Sequence, residues 1–203
     1  MTRRFQGDKL VIASHNRGKL EEFSSLLVPL GVTCVSAGDL GLPEPAETED
    51  TFLGNARIKA HAAAQASGLP ALSDDSGLTV DALDGAPGVY TADWAETPNG
   101  RDFRMAMAKT WSHLEFLKAP FPRRAQFRCT LVLAWPDGQD EWVEGLAEGQ
   151  LVWPGRGAEG HGYDPIFQPD GYDGTFAELS AAEKNRISHR AKAVTALLRK
   201  CFT

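Results

Sequence analysis

Cysteine is scarce and scattered in this sequence. Cys34, Cys129 and Cys201 are odd in number and form no CxxC pair. That pattern excludes a disulfide framework and offers no zinc site, and it points to a reduced, cytoplasmic protein. Long apolar runs are missing too. Nothing approaches the ~18 consecutive residues of a membrane span, and Leu10-Val11-Ile12-Ala13, behind a basic N-terminus, is too short for a signal peptide and reads as a strand. No membrane partner is expected. Positive charge is in short supply, with 21 Lys and Arg against 27 Asp and Glu and a net charge of −6. An acidic body lacks the broad basic face that a duplex requires, so no nucleic-acid partner is expected either. Repeats, low-complexity tracts and long linkers are also absent. The chain, residues 1–203 with 42% hydrophobic residues, fits one large domain or two tightly joined lobes.

What basic charge there is gathers in one place. From Glu183 to Thr203 six lysines and arginines face one acid. A local basic cluster on an acidic body suits a small anionic ligand held at one point, although the last two, Arg199 and Lys200, are also what a helix C-terminus favours. Around that cluster the pattern alternates helices and strands. Lys9 to Ala13 reads as a strand and Ser14 to Gly18 as a turn. A helix follows with Leu20, Phe23, Leu27 and Leu30 on one face, ending near Gly31. Val32 to Val35 is a short strand and Gly41 to Asp50 a loop. A second helix runs from Thr51 to Ser67-Gly68. Ala71 to Ser73 is expected as a buried strand that turns at Asp74-Asp75-Ser76-Gly77, with a return strand at Thr79 to Leu83. A third helix covers Asp102 to Leu117. Ala125 to Trp135 alternates as a strand and, through Pro136-Asp137-Gly138, forms a hairpin with Glu141 to Leu146. Ser180 to Glu183 is a capping box, opening a last helix that buries Ile187, Ala191, Val194 and Leu198. The sum is an α/β fold with a central mixed β-sheet flanked by helices.

Five groups of residues carry possible chemistry. Asp74 and Asp75 adjoin at the end of an apolar strand, where their repulsion needs a cation or a proton to offset it. Magnesium takes one or two carboxylates with water and phosphate oxygens, and a carboxylate beside it can accept a proton from water. The same four residues are also good turn chemistry. Ser14-His15-Asn16-Arg17-Gly18-Lys19 lies between a strand and a helix, where backbone N–H groups favour an anion; it lacks the glycine spacing of a Walker loop and, taken alone, reads more readily as an ordinary turn. Before the second helix, Asp50 or Thr51 serves as a cap, while Glu47 is too far upstream to cap and is left as a candidate metal ligand. Asn55 and Lys59 share a face of that helix one turn apart. His161-Gly162-Tyr163-Asp164-Pro165 closes a glycine-rich loop, with Asp164 expected to be extended because proline follows it. Glu183 to Arg190 packs donors densely near a helix start.

Six strings, in order, resemble one family: Ser14-His15-Asn16-Arg17-Gly18-Lys19; Thr51-Phe52-Leu53-Gly54-Asn55-Ala56 with Lys59-Ala60; Asp74-Asp75-Ser76-Gly77-Leu78; Gly85-Ala86-Pro87-Gly88-Val89-Tyr90; Gly162-Tyr163-Asp164-Pro165-Ile166-Phe167; and Glu183-Lys184-Asn185 with Ile187-Ser188-His189-Arg190. Together, over about Leu10 to Leu198, they resemble the non-canonical purine nucleoside triphosphate pyrophosphatases, the inosine and xanthosine triphosphate pyrophosphatases. The resemblance implies magnesium-dependent hydrolysis of dITP, ITP and XTP to the monophosphate and pyrophosphate. It also implies an elongated two-lobed fold around a cleft, and a homodimer. It makes Asp75 the general base and a metal ligand, with Glu47 and Asp74 as further acids at the metal. Ser14, His15, Asn16, Arg17, Gly18 and Lys19, with Ser76 and Lys59, would hold the triphosphate. His161, Gly162, Tyr163, Asp164, Lys184, His189 and Arg190 would surround base and sugar. Lys184, His189 and Arg190 are donors, which suits the 6-oxygen of hypoxanthine and xanthine and leaves the amino group of adenine without a partner.

Three positions depart from the family pattern. His161 stands where Phe is usual, Gly54 where Glu is usual, and Asp93 where Arg is common. Two other readings compete: a pyrophosphatase for modified pyrimidine nucleotides, and a nucleotide-binding protein without turnover.

Overall fold

The computed structural model describes residues 2–202. In chain order it runs β1 (Lys9–Ile12), α1 (Arg17–Leu27), β2 (Thr33–Ser36), α2 (Phe52–Ser67), β3 (Ala71–Val80), β4 (Glu96–Thr97), β5 (Gly100–Arg101), α3 (Phe103–Phe116), β6 (Arg124–Ala134), β7 (Asp140–Leu151), β8 (Phe167–Pro169), α4 (Ala181–Ile187) and α5 (His189–Leu197). Six strands form one sheet in the order β2-β1-β3-β6-β7-β8, and β4 pairs with β5 apart from it. β1 runs parallel to both β2 and β3, whereas β8 is antiparallel to β7. The sheet is therefore mixed, as the sequence pattern implies.

Local chemistry explains the helix limits. Asn16 caps α1 by accepting the Gly18 N–H, Thr51 caps α2 through Gly54, and Asp102 caps α3 through Arg104 and Met105. Gly68 ends α2 in the left-handed region, which glycine enters without a Cβ penalty. Ser180 and Glu183 form the expected reciprocal capping box of α4.

The chain divides into two compact units. The first takes in the chain up to Asp75, Thr130–Glu144 and the chain from Ala193 onward. Its core is built on small side chains: Ala56, Ala60, Ala63 and Ala64 of α2 meet Val11, Ala71 and Val132 of the sheet. Alanine at these positions lets a helix backbone lie close to the strands. The ends of the described chain meet in this unit, where the Phe5 ring stacks on Phe202 at 5.0 Å and the Phe5 N–H donates to the Cys201 carbonyl. The second unit comprises Ser76–Cys129 and Gly145–Lys192. Its core is aromatic, with Phe127, Phe167, Phe176 and Tyr163 buried beside Leu78 and Leu114.

Several elements differ from expectation. Asp74-Asp75-Ser76-Gly77 is not a turn: β3 runs unbroken through it for ten residues. Turn propensity is overridden by tertiary partners. The Ser73 hydroxyl donates to the Ala56 carbonyl of α2, and the Thr91 hydroxyl accepts the Leu78 N–H, so each half of the strand is tied down in extended form. The final helix is broken. Ser188 is extended (ψ 154°) and accepts the Ala191 N–H on its hydroxyl, ending α4 and opening α5. Leu30 is exposed rather than on a buried face, because α1 ends at Leu27 and continues as a single 3-10 turn. Asp164 is not extended; it begins a 3-10 turn, Asp164–Ile166. β7 is longer than the reading gave, and β8 escaped it. Among the described residues no helix is long and apolar enough to cross a membrane.

Candidate active site

In the first unit the two acids of β3 are separated by strand geometry. Successive side chains point to opposite faces of a sheet, so Asp74 and Asp75 diverge. Each meets its own lysine. Lys19, three residues into the first turn region of α1, donates to Asp74 Oδ1 at 2.8 Å; Asp74 is only 4% exposed. On the other face Lys59 of α2 reaches Asp75 Oδ1 at 3.8 Å and donates to Glu47 Oε1 at 3.0 Å. Lys59 is 8% exposed. Burial works against its charge, but the carboxylates of Asp75, Asp74 and Glu47 outweigh it and hold the ammonium above its ordinary pKa. The structure thus brings Glu47, Lys59 and Asp75 together and sets Asp74 apart with Lys19. The charge of Asp74 nonetheless reaches Lys59 as well. Among the described residues no group of three or more His, Cys, Asp or Glu side chains is placed to hold a metal ion. Glu47 and Asp75 do converge on one cation, the Lys59 ammonium, and two carboxylates suit a magnesium ion that keeps water and phosphate ligands.

The loop presenting Glu47 is anchored by a residue whose role the sequence left open. Asn55, 3% exposed, accepts the Glu49 N–H at 2.9 Å. Gly54 explains its departure from the family pattern. A Cβ there would lie 2.6 Å from Glu49 Cβ and 2.7 Å from Cγ, so the glycine admits the loop against the start of α2.

The loop before α1 is partly committed to its own structure. Asn16 Oδ1 caps the helix, and the Ser14 hydroxyl accepts the Asn16 N–H at 3.1 Å. His15 bonds the Leu42 carbonyl through Nε2 at 2.8 Å and lies 3.9 Å from Glu44. Arg17 and Gly18 are exposed at the helix start. Ser76 follows Asp75 on β3, half-buried, and alternates onto the face opposite to Asp75.

In the second unit Lys184 of α4 donates to Asp164 Oδ2, and the His161 N–H reaches the same oxygen at 2.9 Å. Asp164 is buried and engaged by both. Gly160 makes room for this pair: a Cβ would run into the Asp164 carboxylate and come within 3.2 Å of Lys184 Nζ. His161 and Gly162 lie at the surface of this turn, exposed and half-buried. Tyr163 does not match its expected part in the site. Its side chain is 1% exposed, packs edge-on to Phe103 at 5.9 Å and donates to the Thr91 carbonyl, and burial pushes its phenol up to about 12. It is a core residue, held inside by the apolar ring that sequence reading treated as a ligand contact. His189 opens α5 and stacks on Phe127 at 5.0 Å, an aromatic support that no spacing signalled. Arg190 follows it, half-buried.

Comparison with known proteins gives these features a context. A model of the Ham1 family matches residues 10–200. A dITP/XTP pyrophosphatase of Ruegeria pomeroyi is 69% identical over 202 residues, covering 100% of this chain and 99% of its own. Another of the same name, from Rhodospirillum centenum, is 58% identical and covers 98% of each. Among solved structures, a HAM1 protein from Coxiella burnetii superposes with a TM-score of 0.88 at 38% identity, covering 93% of this chain and 95% of that one. The nucleoside-triphosphatase / dITP/XTP pyrophosphatase of Mycobacterium abscessus follows at a TM-score of 0.78 and 39% identity, covering 94% and 98%. On the extent of these matches, the chain belongs to the Ham1 family.

Proposed function

We propose that this protein is a nucleoside triphosphate pyrophosphatase that hydrolyses dITP, XTP and ITP to the monophosphate and pyrophosphate. The observation that carries the reading is Lys59 held between Glu47 and Asp75, at 3.0 and 3.8 Å, with Lys19 on Asp74 at 2.8 Å across the same strand. Lysines set against carboxylates, Lys19 at the start of α1 and Lys59 midway along α2, are what a polyphosphate needs. The ammonium groups neutralise its oxygens, and a neighbouring carboxylate takes a proton. The names of the relatives support the same substrates.

In this mechanism Asp75 accepts a proton from water as that water's oxygen bonds to the α-phosphorus. The bond to the bridging oxygen breaks, and pyrophosphate leaves with the electron pair. Lys19 and Lys59 offset the charge on the phosphates, and the N–H groups at the start of α1 add to them. Glu47 and Asp75 would hold magnesium, which when bound supplies further charge neutralisation on the phosphate oxygens. Ser14, Asn16, Arg17 and Ser76 serve the triphosphate. Lys184, His189 and Arg190 donate to the purine and leave the adenine amino group unmatched. A buried donor without a partner costs about 1–3 kcal/mol. The enzyme works in the cytoplasm, where its three free thiols stay reduced, and as a homodimer, which sedimentation velocity at micromolar concentration tests.

A nucleotide panel with pyrophosphate and phosphate quantified separately tests the reading. Pyrophosphate from dITP, XTP and ITP, little from dATP, and loss of turnover in Asp75→Asn are expected. Free phosphate as the main product, or full turnover in Asp75→Asn, would overturn it.

A further inference from the structure

Three rings in the second unit lie nearly parallel. Phe176 stacks on Phe127 with planes 13° apart, and Phe127 stacks on His189 at 5.0 Å with planes 15° apart. The same cluster meets the other base-side donor, because the Lys184 ammonium sits 5.5 Å from the centroid of Phe176. Phe127 and Phe176 are otherwise buried, and Phe167 packs against both, at 4.8 and 4.9 Å.

We propose that Phe127 and Phe176 form an aromatic platform that positions His189 and Lys184, and so sets how strongly the enzyme prefers a 6-oxo over a 6-amino purine. The proposal rests on the pyrophosphatase reading above. A hydrogen bond discriminates only when its donor is held in place, and both donors sit on flexible bonds beyond Cβ. The break at Ser188 gives His189 a backbone direction independent of α4, and the packed face of Phe127 lies nearly parallel to its ring and supports that plane. Asp164 fixes the Lys184 head along one direction, and the negative face of Phe176 attracts it from another. Neither phenylalanine is a catalytic residue, since each acts through the side chain it supports.

Phe127→Leu keeps an apolar side chain in the core and removes the ring face. Phe167→Leu makes the same chemical change one ring away and is the control. Both variants are expected to lose thermal stability. Only Phe127→Leu is expected to lower the ratio of kcat/KM for dITP over dATP, by about threefold to tenfold, the worth of one aromatic stack. In the free protein, the His189 ring protons are expected to lose their upfield ring-current shift in Phe127→Leu and to keep it in Phe167→Leu. Phe127→Tyr, which retains the ring, should restore both the shift and the ratio. Equal ratios in the two leucine variants, or an unmoved His189 signal in Phe127→Leu, would overturn the platform. A wild-type enzyme that releases no pyrophosphate from dITP would instead overturn the activity on which it stands, and the His189 shift would still report on the stack.

Discussion

Asp74 and Asp75 are neighbours in sequence but not in chemistry. One peptide bond apart, they face opposite sides of β3 and meet different lysines. The two isosteric substitutions should therefore separate. Asp75→Asn removes the proposed proton acceptor and should lower kcat by about 10²–10⁴-fold. Asp74→Asn leaves Lys19 without its 2.8 Å partner and should act mainly on KM for the triphosphate. Steady-state kinetics on dITP with both variants checks this split; equal losses of kcat would contradict it. The acid pair itself was legible in the sequence, as was the need for a cation or a proton to offset its repulsion. The division between the two was not, because a turn and a strand place the second carboxylate differently and only the partners on α2 and beyond decide between them. The burial of the Tyr163 ring was not legible for a related reason: an aromatic residue in a glycine-rich motif fits a ligand contact and a core position equally well.

Helix α2 is the element on which much of the first unit depends. Beyond its alanine face it carries Lys59 to the acids, anchors the Glu47 loop through Asn55, and is clamped to the start of β7 by Arg57 and His61 on Asp140. Gly54 in its first turn would ordinarily be improved by alanine, which gains about 1 kcal/mol in a helix. Here Gly54→Ala should give no gain, because its Cβ meets Glu49 at 2.6 Å and the Glu49 backbone is held by Asn55. In a Glu49→Gly background the same change should stabilise, a non-additivity that urea unfolding of the four proteins measures. The Asp140 clamp makes a separate prediction. Burial pushes the Asp140 carboxyl up, but hydrogen bonds from Arg57 and His61 outweigh it and leave the pKa below the usual 3.8. Its contribution is therefore complete above that value and is lost as pH falls through the lower, folded one. Urea midpoints from pH 5 downward should fall less steeply in Asp140→Asn than in the wild type; parallel curves would remove Asp140 from the acid dependence. The caps of α2 and α4 could be read from sequence, since they depend on residues close in the chain, and the mixed sheet from the alternation of helices and strands. The break at Ser188 could not, because Ser-His-Arg continues a helical pattern and the extended serine is held in part by its hydroxyl, which accepts the Ala191 N–H.

At the scale of the molecule, a small-residue core and an aromatic core sit in two units built from interleaved stretches of one chain. The β6–β7 hairpin supplies residues to each, and so the units cannot be separated by a single cut. The first unit is closed by its own ends. Arg3 reaches Asp137 at 2.5 Å and stacks over Trp135, while Phe5 lies on Phe202. Phe5→Ala should destabilise the unit by about 0.5–1.5 kcal/mol beyond the loss of buried area, measured by thermal unfolding against Phe5→Leu. The meeting of Phe5 with Phe202 also bears on the order in which the elements are strung. Where Phe5 and Phe202 adjoin, that order is a matter of connectivity that the folded state does not record. A short peptide joining them would turn the chain into a ring, and a new opening at the exposed Asn99-Gly100 turn would give a circular permutant with every strand and helix in its present place.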